Sequence, residues 1–278
     1  MLVCRYADGG RRGYGRVDHD HVVPVEYDPG AGRWVPRPGP ARPLGEVRVL
    51  APAEPTKIVC VALNYRAEGA AGAGRPADSA SMAVVLKPPS SLVGPWAPVS
   101  HPGRSWVLKH EAELAVVIGT RCKRVSPGRA EAVVAGFTCA NDITAYARDG
   151  AGPGGHPVWA KHFDGCTPLG PWLATDLDAA DAEITCRVDG ELRQRGSTRD
   201  LLTPVHDVVA LVSEHMTLLP GDVILTGTPG GSGPLPVGGR VEVAIGGVGT
   251  LCNTIGEPSG AAGETGAAGS EREGRSTP

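Results

Sequence analysis

The chain has 278 residues, 41% of them hydrophobic, and a formal net charge of −3 at pH 7. A chain of this length and composition can bury a substantial core, as one large domain or as one large and one small domain. The small negative charge, without a face rich in Lys and Arg, argues against nucleic acid or an anionic membrane as the main partner.

Short strand patterns interrupted by glycine and proline occupy residues 1–50, and we predict a small N-terminal module there. The proline-rich segment 36–43 is predicted to be an extended linker. The main domain is predicted over residues 51–255. The Gly-, Ala-, Ser- and Glu-rich residues 256–278 are predicted to form a disordered tail.

The main domain has the pattern of a β-rich α+β fold. Gly246-Gly247 predicts a hairpin turn into Val248–Cys252, and a short helix is predicted after Ser126-Pro127. Short apolar runs rich in β-branched residues predict strands at Ile58–Ala62, Ala83–Leu86, Leu114–Ile118, Val133–Cys139, Val223–Thr226 and Val241–Ile245.

One longer helix is predicted, with Thr203 as its N-cap and Pro204 in its first position. A helical period places one apolar face on it. The residues of that face are Val205, Val208, Val209, Val212 and Met216.

The cysteines and the N-terminus indicate the compartment. Seven scattered cysteines, an odd number, predict free thiols rather than a disulfide framework. The first residues lack the apolar region of a signal peptide, and no apolar run approaches the length of a membrane span. We therefore expect a cytoplasmic protein.

Two glutamates at the start of a predicted buried strand are the most informative feature. Glu111 and Glu113 are two residues apart, so in a strand their carboxylates project from the same face. Two unpaired anions beside a buried strand repel each other and lose hydration, and a hard divalent cation would resolve that conflict. A pair of exposed glutamates on an edge strand is the alternative.

Asp142, at the end of a second apolar segment, adds a third carboxylate. Three carboxylate ligands without Cys or His suit Mg²⁺ or Mn²⁺, with the remaining positions open to water and substrate. Zn²⁺ fits poorly, because the cysteines form no Cys-x-x-Cys pair and no Cys/His cluster. The glycine-rich segment 230–239 has no following Lys-Ser/Thr pair, so a phosphate-binding P-loop is not expected.

Several motifs, in consistent order from about Val3 to Ile255, resemble those of the fumarylacetoacetate hydrolase family. The resemblance implies that family's mixed β-sandwich and roll with a small N-terminal domain, and often a homodimer. It does not define the reaction, because the family hosts several. The matching segments are Arg5-Tyr-Ala-Asp-Gly-Gly, Leu86-Lys-Pro-Pro-Ser90, Glu111-Ala-Glu-Leu-Ala-Val-Val-Ile-Gly119, Asn141-Asp-Ile-Thr-Ala, Lys161-His-Phe-Asp164, Thr226-Gly-Thr-Pro229 and Gly249-Thr-Leu-Cys-Asn253.

The resemblance also implies roles for site residues. Glu111, Glu113 and Asp142 match the family's metal ligands, and the substrates resemble β-dicarbonyls or 2-oxo acids that chelate the cation through two oxygens. Lys161 matches a lysine that stabilises an oxyanion or holds a substrate carboxylate. Asp164, three residues further on, is predicted to orient Lys161, with a simple surface Lys–Asp pair as the alternative.

Further residues are candidates around this site. The Thr228 hydroxyl is predicted to bind a substrate oxygen. Gln194 matches a family segment as either a substrate-binding or a structural residue, and Arg66 is a candidate for substrate binding. His162, beside the matched lysine, is a candidate proton carrier. His110 precedes the first glutamate on the opposite face, which predicts a structural or supporting role.

The chain departs from the family pattern at two places. In family hydrolases, a His and a Glu three residues apart in a lid activate the attacking water. Glu68 and Ala71 stand at those positions here, so the pair is absent, and Glu68 is either an alternative general base or a solvated lid residue. Tyr146 replaces the usual arginine, which alters recognition of an anionic group, although Arg148 is close in sequence. As a candidate substrate-binding residue, Tyr146 would instead stack on, or hydrogen-bond, a less charged and larger substrate.

Three functions remain open. The first is a metal-dependent enzyme that cleaves a carbon–carbon bond in an acylpyruvate or related β-diketo acid through an enolate. The second keeps the enolate chemistry but is a decarboxylase, tautomerase, isomerase or cyclase that acts on a larger substrate and needs no activated water. The third is a non-catalytic ligand-binding protein, which the retained acidic cluster argues against.

Overall fold

The computed structural model of the chain describes residues 1–66, 83–148 and 157–258. Strands dominate these ranges, which confirms the predicted β-rich α+β fold class. Within the same ranges, no helix is long and apolar enough to cross a lipid bilayer.

Short strands fill the N-terminal part. These are β1 (Leu2–Asp8), β2 (Arg11–Asp18), β3 (His21–Asp28), β4 (Arg33–Pro36), β5 (Arg42–Pro43) and β6 (Arg48–Leu50). Strands β1 to β4 form successive antiparallel hairpins, because tight turns separate them. Strand β5 pairs with β3, so the proline-rich segment predicted as a linker lies along the N-terminal strands.

The main part of the chain is also built largely from strands. They are β7 (Ile58–Ala62), β8 (Ala83–Lys87), β9 (Leu92–Val93), β10 (Pro98–His101), β11 (Trp106–Lys109), β12 (Ala112–Ile118), β13 (Val134–Asn141), β14 (Thr144–Ala147), β15 (Thr167–Ala174), β16 (Glu183–Val188), β17 (Glu191–Ser197), β18 (Val223–Leu225), β19 (Arg240–Ile245) and β20 (Gly249–Pro258). The helices are α1 (Pro127–Ala130), α2 (Pro157–Lys161) and α3 (Val205–His215). The predicted strands are all present, and their ends are shifted by one or two residues at most, except that the strand predicted over Val248–Cys252 continues to Pro258 as β20. Helix α1 is the short helix predicted after Ser126.

Two sheets and a ribbon organise these strands. Ten strands of the 13-stranded sheet follow the order β4-β3-β2-β1-β15-β13-β12-β18-β7-β8, while β5, β6 and β9 pair with β3, β1 and β15 beside this path. The β1–β15 pair joins the N-terminal strands to the rest. A 5-stranded sheet has the order β10-β20-β19-β16-β17, and β11 pairs with β14 in a separate ribbon. The mixture of parallel and antiparallel pairs agrees with the mixed sheets that the resemblance implied.

Strand β12 is buried on both faces. Leu114 and Val116 belong to an apolar cluster that also contains residues of the 5-stranded sheet and of α3. Ala115 and Val117 point the other way, into a second cluster with residues of β7, β18 and the N-terminal strands. A strand that is buried on both faces has a continuous run of apolar residues, and this run allowed β12 to be predicted from the sequence.

Helix α3 begins one residue later than predicted. Pro204 has ψ of 155° and is the N-cap, and its carbonyl accepts the first helical hydrogen bond from the Val208 N–H at 2.9 Å. Thr203 is not the cap, because its own N–H donates to the Asn64 side-chain oxygen at 2.8 Å and holds it in the preceding loop. The predicted apolar face is correct. Its buried members are Val205, Val208, Val209 and Val212, and Met216 follows as the C-cap.

The predicted tail begins later than we expected. Strand β20 extends to Pro258, because it pairs in parallel with β10 and aligns His101 with Pro258. Residues 256–258 therefore belong to a strand, and residues 259–278 lie outside the described ranges. The division into an N-terminal module and a main domain stays a prediction. The seven cysteines are free thiols, and all but Cys252 are buried.

Aromatic residues of the N-terminal strands pack onto the end of β12. The Tyr27 ring covers Gly119, where an added Cβ would lie 2.3 Å from the ring's Cζ and Oη atoms. Trp34 donates its indole N–H to the Ala135 carbonyl at 3.0 Å, and its ring centroid lies 5.4 Å from that of Tyr27. The bare backbone at Gly119 thus permits close contact between the N-terminal strands and the strand that carries Glu113.

We expect Gly119→Ala to lower the free energy of unfolding by about 1–3 kcal/mol, because the new methyl group must displace the Tyr27 ring. Urea denaturation monitored by tryptophan fluorescence measures the change. Gly128→Ala is the control, because an added Cβ at Gly128 in α1 meets no atom within 4 Å. A Gly119→Ala protein as stable as the control would contradict this packing role.

Candidate active site

Three carboxylates meet at the edge where β12 begins and β13 ends. Glu113 lies in β12 opposite Ala140 of β13, and Glu111 and Asp142 lie just outside the two strands. One oxygen from each of Glu111, Glu113 and Asp142 lies within 4.8 Å of the other two. Pairing of the two strands therefore brings together the three residues that the sequence singled out.

Neighbouring backbone and hydroxyl groups orient the two glutamates. Glu113 is buried and accepts a hydrogen bond from the Gly227 N–H at 2.7 Å. Glu111 accepts one from the Thr144 hydroxyl at 2.8 Å. The Asp142 N–H in turn donates to the Glu111 carbonyl at 2.9 Å, which ties the two chain segments together.

Two lysines share the third carboxylate. Lys161 at the end of α2 pairs with Asp142 and also with Glu111, whose Oε2 lies 3.0 Å from its Nζ. Lys87 at the end of β8 pairs with the other Asp142 oxygen and donates to the Cys166 carbonyl at 2.7 Å. Asp142 is thus held from both sides by ammonium groups.

Lys87 is a site residue that the sequence analysis did not assign. Its side chain is completely buried, whereas the side chain of Lys161 is 16% exposed. A lysine is almost never fully buried without a charged partner. The available signal was the matched segment Leu86-Lys-Pro-Pro-Ser90, but a lysine at a strand end does not reveal its distant partner.

Burial and charge shift the pKa values of the three acids in different directions. Burial raises the pKa of Glu113 well above its usual value, and the charges of Asp142 and Glu111 raise it further. Burial and Asp142 also raise the pKa of Glu111, against the opposing effect of Lys161. For Asp142, burial acts in the same direction, but Lys87 and Lys161 outweigh it and lower the pKa to about 2.

This charge distribution fits a divalent cation. The cluster brings three carboxylates together with two ammonium groups, so one negative charge lacks a partner when all five groups are ionised. All candidate ligand atoms are carboxylate oxygens, which hard cations such as Mg²⁺ and Mn²⁺ prefer. Glu111, Glu113 and Asp142 would hold the cation.

Gln194 and Thr228 form a hydrogen-bonded support beside the glutamates. The Gln194 Oε1 atom accepts from the Ala112 N–H at 3.0 Å and contacts His110 Nδ1 at 2.8 Å, while Nε2 donates to Pro229 O and to Thr228 Oγ1. The Thr228 hydroxyl donates to the Ala112 carbonyl at 2.9 Å. The Gln194 amide is therefore occupied within the protein, which favours its structural alternative. His110 contacts Gln194 rather than the carboxylates.

Asp164 does not take the role that the sequence predicted for it. Asp164 is exposed, and within the described residues Lys161 pairs with Glu111 and Asp142 instead, so the predicted Lys161–Asp164 pair does not form. Asp164 lies in a turn that follows α2.

His162 and Arg66 occupy contrasting environments. His162 is partly buried, and its Nδ1 atom is buried without a hydrogen-bond partner in the described part of the chain. Arg66 is exposed, and its N–H donates to the Asp200 carbonyl at 3.3 Å. Glu68 and Ala71 lie outside the described residues. Tyr146 is partly buried, with the Lys109 ammonium 4.1 Å from its ring centroid.

Comparison with known proteins identifies the family. The family model for the fumarylacetoacetate (FAA) hydrolase C-terminal domain matches residues 57–256. The chain belongs to the fumarylacetoacetate hydrolase family. A second model, for a Rv2993c-like N-terminal domain, matches residues 1–52. Membership confirms the resemblance drawn from the sequence motifs, including the fold that it implied.

Similar proteins in this family carry different activities in their names. Human mitochondrial oxaloacetate tautomerase FAHD2A is 38% identical over 227 residues, which cover 78% of this chain and 72% of the relative. The structure of 5-carboxymethyl-2-hydroxymuconate delta-isomerase from Mycobacterium smegmatis is 38% identical, with a TM-score of 0.82, over 92% of this chain and 99% of the isomerase.

A third relative is a hydrolase. Maleylpyruvate hydrolase from Sphingobium sp. SYK-6, in complex with manganese(II) and pyruvate, is 30% identical, with a TM-score of 0.75, over 93% of this chain and 100% of the hydrolase. Isomerase, tautomerase and hydrolase reactions therefore occur in proteins similar to this one. The chain has the fold and acidic cluster of an enzyme family that acts on small oxo acids.

Proposed function

We propose that this protein is a Mg²⁺- or Mn²⁺-dependent enzyme that interconverts the keto and enol forms, or double-bond isomers, of an oxo acid. The observation that carries the proposal is the contact of Lys161 with both Glu111 and Asp142 inside a buried acidic cluster. An ammonium fixed beside candidate metal ligands is placed to stabilise negative charge that develops on a substrate oxygen.

The chain's own residues would divide the work. A divalent cation held by Glu111, Glu113 and Asp142 would supply Lewis acidity toward a substrate carbonyl. Lys161 would donate a hydrogen bond to the oxygen that gains charge. Burial lowers the pKa of Lys161, but the negative charges of Asp142 and Glu111 outweigh burial, so the net pKa is raised. Lys161 therefore stays an ammonium group and acts as a hydrogen-bond donor rather than as a base.

Thr228 and His162 complete the proposed catalytic groups. Because the Ala112 carbonyl can only accept, the Thr228 hydroxyl proton is already committed, and the oxygen can offer the substrate only an acceptor. An enol O–H, which can donate a hydrogen bond, is therefore the substrate oxygen group that fits the predicted contact with Thr228. His162, whose Nδ1 lacks a partner within the described residues, is the proposed proton carrier beside Lys161.

Hydrolytic cleavage of a carbon–carbon bond is the second candidate. The 30% identical maleylpyruvate hydrolase, whose structure contains manganese and pyruvate, favours it. The departure at Glu68 and Ala71 weighs against it, because the family's water-activating pair is missing from the sequence. The two relatives at 38% identity are a tautomerase and an isomerase, which favours chemistry without an activated water. Homodimerisation stays a prediction from the family resemblance.

The decisive assay follows oxaloacetate and acetylpyruvate with Mg²⁺ or Mn²⁺, by loss of enol absorbance and by product analysis. We expect metal-dependent ketonisation of oxaloacetate faster than with the same free metal alone, and no turnover after chelation with EDTA. Acetate and pyruvate from acetylpyruvate would instead support hydrolysis. Metal binding without acceleration of either substrate would contradict both candidates.

A further inference from the structure

The ribbon of β11 and β14 has one buried face and one face directed toward the acidic cluster. Its register pairs Val107 with Tyr146 and Lys109 with Thr144. Directly opposed residues of an antiparallel pair point to the same side, and so do residues two apart along one strand. All four side chains therefore share one face. The Thr144 hydroxyl contacts Glu111 at 2.8 Å, which fixes that face as the one beside the candidate metal ligands.

Lys109 stands on this face beside the Tyr146 ring. Its ammonium lies 4.1 Å from the centroid of the Tyr146 ring, a cation–π contact that holds the side chain in place. Within the described residues, Lys109 forms no ion pair with Asp or Glu. A cation–π contact occupies one side of an ammonium group, so N–H donors remain for an anion.

The Tyr146 ring beneath Lys109 is itself influenced by the charge of Glu111. Burial raises the pKa of the Tyr146 phenol, and the negative charge of Glu111 adds to the rise. Arg148, a second cation close to Tyr146 in sequence, is less suitable for binding an anionic group of the substrate. Arg148 is exposed, and its Nε donates to the Arg104 carbonyl at 3.0 Å.

We infer that Lys109, held over Tyr146, binds a second carboxylate of the substrate and makes the site selective for dicarboxylic oxo acids. This rests on the proposed function, because the oxo-acid end of the substrate must occupy the acidic cluster through the metal. The distal carboxylate then reaches the ribbon, where Lys109 supplies the positive charge that the tyrosine at position 146 does not. Lys109 is thus a specificity-determining residue rather than a catalytic one.

The test compares two stable ligands that differ only at the distal end. Malate carries a carboxylate where 2-hydroxybutyrate carries a methyl group, and each is titrated calorimetrically into the Mn²⁺-loaded protein. We expect wild type to prefer malate, and Lys109→Met to weaken malate binding by about 10-fold or more while 2-hydroxybutyrate changes less than about twofold. Lys109→Arg should recover part of the preference because it keeps the charge.

Arg148→Met is the matched control, because it removes a nearby positive charge that is exposed and bonded to backbone. It should retain the preference for malate. Equal weakening of both ligands in Lys109→Met, an unchanged preference, or no preference in wild type would each overturn the inference. A Lys109-dependent preference in a protein that turns over neither oxaloacetate nor acetylpyruvate would uphold the inference and reject the proposed reaction.

Discussion

Replacing Glu113 with glutamine is expected to lower the affinity for Mg²⁺ and Mn²⁺ by at least about 100-fold, since even outer partners of a metal site contribute 10- to 100-fold. Glutamine keeps the shape of the side chain but removes the charge that the cation requires. The substitution acts at a buried position, where water cannot replace the lost ligand charge. Calorimetric titration of the metal-free protein measures the affinity.

The same variant separates metal binding from folding. Removing one of three clustered negative charges relieves repulsion, so the free energy of unfolding in EDTA should not fall. The control is Glu191→Gln, an identical change at an exposed glutamate paired with Arg193. It should leave metal affinity unchanged. A Glu113→Gln protein that binds Mg²⁺ as tightly as wild type would remove Glu113 from the ligand set.

Lys161→Met is expected to reduce kcat by about 100- to 1,000-fold, the usual cost of removing one donor to a developing oxyanion. Metal affinity should not decrease, because methionine removes an ammonium group that pairs with two candidate ligands, Glu111 and Asp142. Steady-state kinetics on the substrate that turns over, combined with a metal titration, measures both effects. A kcat within twofold of wild type would show that Lys161 is not the oxyanion donor.

Lys87→Met provides the comparison at the second lysine. Lys87 is fully buried and also bonds to the Cys166 carbonyl, so its loss should lower the free energy of unfolding by about 3 kcal/mol. Lys161 is closer to solvent and should affect stability less. Lys161→Met is therefore expected to impair the reaction, whereas Lys87→Met is expected mainly to impair folding.

Local sequence patterns were sufficient to predict the strands and the three clustered carboxylates. The run Leu114–Ile118 is apolar at every position, and such a run in a β-branched context is recognisable as a strand buried on both faces. Glu111 and Glu113 conflict with that environment, and the conflict itself predicts a cation. Two carboxylates beside a strand that is buried on both faces require a partner cation whichever strands lie next to it. The metal site could therefore be predicted without the order of the strands in the sheet.

Side-chain contacts between segments far apart in the chain could not be predicted from local sequence patterns. The pair Lys161–Asp164 was inferred from proximity in sequence, yet Lys161 turns toward Asp142 and Glu111. Lys87 approaches Asp142 from a strand 55 residues earlier. A long lysine side chain reaches partners that sequence spacing does not define, so such pairs become visible only when the strands are assembled.

The sequence by itself determined the strand-rich fold, the family and the three carboxylates, because burial patterns and short motifs are local properties of the chain. The tertiary structure decided how the charges are distributed. It assigned two lysines to Asp142, committed the Thr228 hydroxyl proton to a backbone carbonyl, and set Lys109 over Tyr146. Electrostatic and hydrogen-bond partners depend on distances of a few ångströms between segments far apart in sequence, and only folding fixes those distances.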